Sequence, residues 1–407
     1  MSRPAASPAR RPATRPATRR APERSTPAAG GALGPVPFFV AVVVVLNLIG
    51  LVMVLSASSV VSIEVYGSAW RVFERQLMWT AVGGLAFVVA SRLDYHLWQR
   101  WTVWITGLAA LLCTVVLVPG IGLVAGGSRR WLGVGWFGFQ PSELAKLAVV
   151  LFAADLLDRR ADAVGDWRSV LKPVLLVALS LCGLVYIEPD LDTTVVLVLV
   201  TASVLVVGGV RLRHLGVLAM VGTAALAAAA VAEPYRRARV LTFLQAGGDA
   251  SNTGYQIVQS FIALGSGGVT GVGLGAGRAK WHFLPNAHTD FVFSIIGEEL
   301  GLIGCLLVLA LFVAFAGFAV TIAMRASDRF GMLCATGIAV WVAAQAAINI
   351  GGVTGVLPVS GIPLPFVSFG GSSLVMTMLA AGIVVNIGRS AAGAATAATA
   401  PTAARRR

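Results

Sequence analysis

Charge is what this sequence has least of. Asp, Glu, Lys and Arg make up 12% of its 407 residues, where soluble domains carry about 25%. With 57% apolar residues and a mean hydropathy of +0.83, a water-soluble globular fold is excluded. Cysteine is also scarce. The four residues, Cys113, Cys182, Cys305 and Cys334, fall inside apolar runs without metal-type spacing, which excludes a disulfide framework and a zinc site. No Walker A sequence occurs. The glycines between 265 and 277 do not complete G-x-G-x-x-G, so a nucleotide-binding loop is not indicated. Acids are outnumbered 18 to 31, for a net charge of +13. The basic residues sit in tails and short loops rather than on one face, so they read as topology signals and no nucleic-acid partner is expected.

What the sequence does have is long apolar runs. A spanning helix needs about 20 apolar residues, and stretches near that length lie at 37 to 58, 76 to 91, 102 to 119, 141 to 157, 171 to 187, 191 to 209, 214 to 232, 290 to 323, 331 to 352 and 369 to 388. The predicted fold is an all-α, polytopic transmembrane bundle of about ten helices. It carries a long outer loop, 233 to 289, between the seventh and eighth. Residues 1 to 36 hold seven Arg against one Glu among Pro, Ala and Thr, too polar to bury a core, and read as a disordered basic tail. Residues 389 to 407 read as a second tail. Arg and Lys are retained on the cytoplasmic side during insertion. Placing the N-terminus inside puts Arg92, Arg100, Arg159, Arg160, Arg168, Arg211, Arg213, Arg325, Arg329 and Arg389 inside as well, so both termini are expected in the cytoplasm.

Two outer loops break that pattern. One holds Arg129 and Arg130; the other holds Arg236, Arg237, Arg239, Arg278 and Lys280 against Glu233 and Asp249. An anionic partner at the outer surface accounts for this excess, and contact with anionic lipid headgroups is the plainer alternative.

Polar groups at membrane depth cost about 2.5–3.5 kcal/mol per charge and so mark either pathways or paired structural ions. Gln140-Pro141-Ser142-Glu143 opens the fourth helix, with Lys146 three residues past Glu143 on the same face, close enough to pair with it. His288-Thr289-Asp290-Phe291 sits where the outer loop meets the eighth helix. Asp290 there is either a helix cap or a base able to take a proton from a sugar hydroxyl. Glu298 and Glu299 follow inside that helix and call for a polar cavity or a cationic partner. The segment 351 to 373 is too rich in Gly, Pro and Ser for a straight helix and reads as a re-entrant or interfacial loop. His282, His288 and Asp290 could hold a metal, but their spacing is equally that of a hydrated loop.

Several blocks carry a resemblance: Gly127-Ser-Arg-Arg130-Trp131, Gln140-Pro-Ser-Glu143-Leu-Ala-Lys146, Glu188-Pro-Asp190-Leu, Gly254-Tyr-Gln256, Leu284-Pro-Asn-Ala-His288-Thr-Asp290, Gly297-Glu-Glu-Leu-Gly301 and Pro363-Leu-Pro-Phe-Val-Ser368-Phe-Gly-Gly-Ser372. In this order they resemble the FtsW/RodA (SEDS) family of peptidoglycan polymerases over residues 37 to 388, the run 273 to 290 being closer to the FtsW branch. The resemblance implies an inverting glycosyltransferase that polymerises lipid II at the outer face, releases undecaprenyl diphosphate, works at the division septum and is partnered by a class B penicillin-binding protein. It implies Asp290 as the catalytic residue, with Arg130, Trp131, Glu143 and Lys146 lining the site. Arg278, Lys280, His288, Ser368, Gly370 and Gly371 complete the expected substrate-binding set. No cofactor is identified, and a divalent cation is left open. Glu188 stands where Gln is frequent, Asp192 where Gly is common and Phe369 where Tyr is usual. A lipid II flippase, an elongation polymerase and a non-catalytic scaffold are the alternatives.

Overall fold

A computed structural model describes residues 34–125, 128–134, 137–232 and 254–399, with residues 237, 241 and 243. The N-terminal tail up to residue 33, Gly127, Glu233, Arg236, Arg239, Asp249 and residues 400–407 lie outside the described residues.

Each of the ten apolar runs is a helix. In chain order these are α1 (Pro35–Tyr66), α2 (Arg71–Arg92), α3 (His96–Leu117), α4 (Pro141–Arg159), α5 (Lys172–Ile187), α6 (Leu191–Val207) and α7 (Leu212–Ala232). After the amphipathic α8 (Tyr255–Ser266) come α9 (Val292–Met324), α10 (Arg329–Val353) and α11 (Gly371–Thr399). Seven of them, α1, α2, α3, α5 with its preceding turn, α9, α10 and α11, are long and apolar enough to cross a membrane alone. The last continues to Thr399, into residues that composition had assigned to the tail. Local signals set the ends: Pro35 and Pro141 stand in the first turn of their helices, and Gly67, at φ 70, caps α1 by donating to the Ile63 carbonyl at 2.7 Å.

α4, α10 and α11 form the buried centre, with α2 packed along α11 and α3 along α4. One end of the bundle is stitched by polar contacts among short turns. Tyr95 bonds Asp328, the Tyr95 amide donates to Asn386 at 3.0 Å, and Arg329 donates to the Gly208 carbonyl at 2.7 Å. This end carries the short-loop arginines.

The opposite end carries the longer connections. Between α3 and α4 the chain forms a three-stranded antiparallel sheet, β1 (Leu123–Ala125), β2 (Ser128–Val134) and β3 (Phe137–Phe139), with Trp131 facing Leu123 and Leu132 facing Phe139. Its strands are too short and too interrupted by glycine to show an alternating pattern in sequence.

α9 is broken at Gly301, which takes φ 67. A break at membrane depth strands backbone groups that water cannot satisfy. Here the turn 267–273 answers them: Val272 and Gly273 donate to the carbonyls of Glu298 and Glu299 at 2.9 and 3.1 Å, while Leu302 and Ile303 donate to Gly268 and Val269 at 3.0 and 3.2 Å. The 267–273 turn is thereby locked onto the helix that follows it.

Candidate active site at the loop end of the bundle

Asp290 lies at the last turn before α9. Phe291, not Thr289 or Asp290, occupies the N-cap position, and its own side chain makes no capping hydrogen bond. The turn carrying Asp290 is held by its backbone from three directions. Asn286, at φ 57, accepts from the amides of Thr289 and Phe291 at 3.1 and 3.3 Å. The Phe369 amide donates to the His288 carbonyl at 3.0 Å. Asn349 of α10 donates to the Asp290 carbonyl at 2.8 Å.

The segment 361–373, predicted as re-entrant, is the hub that joins the other candidates. Asp192 accepts from the Gly361 amide at 2.8 Å, Asn349 and Gln345 donate to the carbonyls of Ile362 and Pro363 at 2.9 Å each, and Gln76 donates to Ser368 at 3.5 Å. The Ser368 hydroxyl accepts from the Leu364 amide at 2.9 Å, and Ser372 accepts from the Gln140 amide at 3.3 Å. Gly370 packs on Pro363, and a side chain at Gly371 would collide with Trp79 of α2. The Phe369 ring lies 5.8 Å from His288, with the Arg75 guanidinium 5.7 Å away.

Glu143 and Lys146 do pair, at 2.9 Å, and both are buried. The Lys146 ammonium also donates to Gln345 at 2.7 Å and sits 5.0 Å from the Trp341 ring. A buried ion pair is tolerated when further hydrogen bonds satisfy it, and here Gln345 supplies one. Arg130 donates to the Pro189 carbonyl at 2.8 Å, beside Asp190, which accepts from Gln140 at 3.0 Å. Trp131 follows on β2, its ring against Gly138.

Two expected substrate cations sit differently. Lys280 is buried, ion-paired with Glu299 at 2.9 Å and bonded to Ser56 of α1 at 3.0 Å. Arg278 donates its backbone amide to Glu298 at 2.7 Å while its side chain is exposed. Glu298 and Glu299 thus anchor the stretch 278–280 that precedes α9. Burial pushes His288 below the ordinary imidazole range, so at neutral pH it offers hydrogen bonds rather than charge. His282 pairs with Glu64 at 2.7 Å. Among the described residues no three His, Cys, Asp or Glu side chains come together to hold a metal ion.

Reading by motif missed Trp341, Gln345 and Asn349, and Arg75 and Gln76 of α2. The available signal was three polar-tipped residues four apart inside an apolar helix, a single helical face.

The fold and this cluster define a polytopic membrane protein with a polar site at one end of its bundle. Comparison with known proteins narrows the class. The family model described as cell cycle protein (FtsW/RodA/SpoVE) matches residues 37–393, and the chain belongs to that family. Stage V sporulation protein E of Bacillus subtilis is 38% identical over 350 residues, covering 86% of this chain and 96% of its own length. A probable peptidoglycan glycosyltransferase FtsW of Mycobacterium bovis is 41% identical over 351 residues, covering 86% of this chain and 67% of its own. Among solved structures, a chain from work on the structural coordination of polymerization and crosslinking by a peptidoglycan synthase complex matches with a TM-score of 0.72 at 28% identity, over 87% of this chain and 97% of that one. The rod shape determining protein RodA of Thermus thermophilus matches with a TM-score of 0.64 at 27% identity, over 86% and 96%.

Proposed function

We propose that this protein is a peptidoglycan glycosyltransferase that polymerises lipid II at the outer face of the cytoplasmic membrane, for septal wall synthesis. Membership of the family, with relatives named as FtsW glycosyltransferases at about 40% identity, supports the activity and the septal role. The observation that carries the site is Asp290, on a turn fixed by α10 and the 361–373 segment at the end of the bundle away from the short-loop arginines.

In this reading Asp290 accepts the proton of the acceptor sugar hydroxyl as its oxygen attacks the anomeric carbon of the donor. The carbon–oxygen bond to the diphosphate breaks, and undecaprenyl diphosphate leaves with the electron pair. Arg130 and the exposed Arg278 steady the departing diphosphate. Trp131 packs beside the sugar, while the Glu143–Lys146 pair, Ser368, Gly370 and Gly371 shape the floor, and His288 donates or accepts a hydrogen bond as a neutral ring. Lys280 acts through Glu299 by holding the outer loop. Inversion at the anomeric carbon is carried over from the family resemblance. Both termini are cytoplasmic in this reading. A class B transpeptidase is the partner, in keeping with a structural relative solved in work on coordinated polymerization and crosslinking.

The test uses the purified chain with its transpeptidase and lipid II. Glycan strands from the native protein and none from Asp290→Ala support the reading. Strands from neither, together with lipid II movement across vesicles, would make it a transporter instead.

A further inference from the structure

α10 carries a polar stripe that the proposed chemistry leaves unused. Trp341, Gln345 and Asn349 recur every four residues and so stack on one face of the helix. All three are buried. Gln345 accepts from Lys146 and Trp341 at 2.7 and 3.0 Å and donates to Pro363 at 2.9 Å. Asn349 donates to two carbonyls at once, Asp290 at 2.8 Å and Ile362 at 2.9 Å. Because both bonds use the amide nitrogen, the orientation of the Asn349 amide follows from its partners. Its oxygen is buried without a donor among the described residues. A buried acceptor left open costs about 1–3 kcal/mol, so a side chain kept here for packing alone would be better apolar.

We infer that Asn349 is the positioning residue for Asp290: its amide ties the peptide carrying that acid to the 361–373 segment, so that acid and segment are placed as one unit. The inference rests on the catalytic reading of Asp290 given above. Asn349 touches neither reacting atom. It acts on the direction in which the Asp290 carboxylate is presented, and displacements near 1 Å in such a group cost about 10²-fold in rate. Gln345 extends the tie to the Lys146–Glu143 pair, which makes α10 the common rail for the acid and the buried ion pair.

A second buried asparagine supplies the control. Asn386 of α11 also bridges backbone groups, accepting from the Tyr95 amide at 3.0 Å and donating to the Ser91 carbonyl at 3.1 Å. It does so at the opposite end of the bundle.

The experiment compares Asn349→Leu, Asn386→Leu and Asp290→Asn in the chain–transpeptidase complex, reading lipid II polymerisation per folded molecule. Asn349→Leu is expected to lower kcat about 10–100-fold with KM nearly unchanged, and to shift the acidic limb of the pH–rate profile. Asn386→Leu is expected to lose stability while keeping kcat per folded molecule and the native pH profile. Asn349→Ser, which keeps one donor, should fall between Leu and native; it replaces Leu in the comparison if the Leu variant does not assemble. If Asn349 variants match Asn386→Leu in kcat and pH profile while Asp290→Asn is inactive, the positioning role is wrong and the catalytic reading stands. If Asp290→Asn polymerises normally, the catalytic reading fails first and takes this inference with it.

Discussion

Glu188 shows how burial alone can change what a carboxyl group offers. It is fully buried at the end of α5, and neither carboxylate oxygen meets a donor in hydrogen-bonding geometry among the described residues. Burial raises its pKa to about 8, with the Cys113 thiol and Arg130 opposing and the Asp190 charge adding to the rise. In its protonated form it is close in shape and hydrogen bonding to the glutamine that the family resemblance leads one to expect here. The unfolded chain ionises this group near pH 4.3, so folding takes up a proton. Its contribution is intact below that pH and is lost as pH rises toward 8. Glu188→Gln should remove this slope: its thermal midpoint in detergent should exceed the native one at pH 8 by a few degrees, and the two should converge near pH 4.5. Equal midpoints at both pH values would mean that the Glu188 carboxyl ionises alike in the folded and unfolded chain.

At the scale of elements, the 267–280 stretch and α9 are one device. The break at Gly301 offers backbone groups to the 267–273 turn, and Glu298 and Glu299 hold the next stretch through Arg278, Ala279 and Lys280. Removing one partner of a buried pair strands the other charge, at about 3–5 kcal/mol, whereas removing both costs far less than the sum. Lys280→Met should therefore cost about 3–5 kcal/mol in SDS-titration unfolding, and Lys280→Met with Glu299→Leu should recover much of it. Gly301→Ala forces a Cβ into left-handed backbone against Gly271 and Val269, and should lower the thermal midpoint by more than Gly317→Ala, where a Cβ meets open space. Sequence reading reached the need of Glu298 and Glu299 for partners, because acids at membrane depth demand them. It could not reach Ser56, 243 positions from Glu299, nor the strands β1 to β3, since contacts between distant segments leave no local period.

Across the whole molecule, the ten apolar runs and the Gly/Pro-rich segment were legible because spanning length and helix breakers are properties of composition. The Glu143–Lys146 pairing was legible from its spacing, whereas the contacts of Asn349 and Gln345 were not, because they form only once α10 is packed against the 361–373 segment. The orientation proposed here rests on the arginine asymmetry. A cysteine at Val356, exposed at the loop end, should react with an impermeant maleimide in intact cells; one at Ala161, exposed at the arginine-rich end, should react only after permeabilisation. The reverse pattern would put Asp290 on the wrong side for outward polymerisation. The most direct measurement is chain growth from lipid II by Asp290→Asn, alongside its lipid II binding. Loss of a general base should cost about 10²–10⁴-fold in rate with binding nearly native, and growth within a few-fold of native would contradict the account.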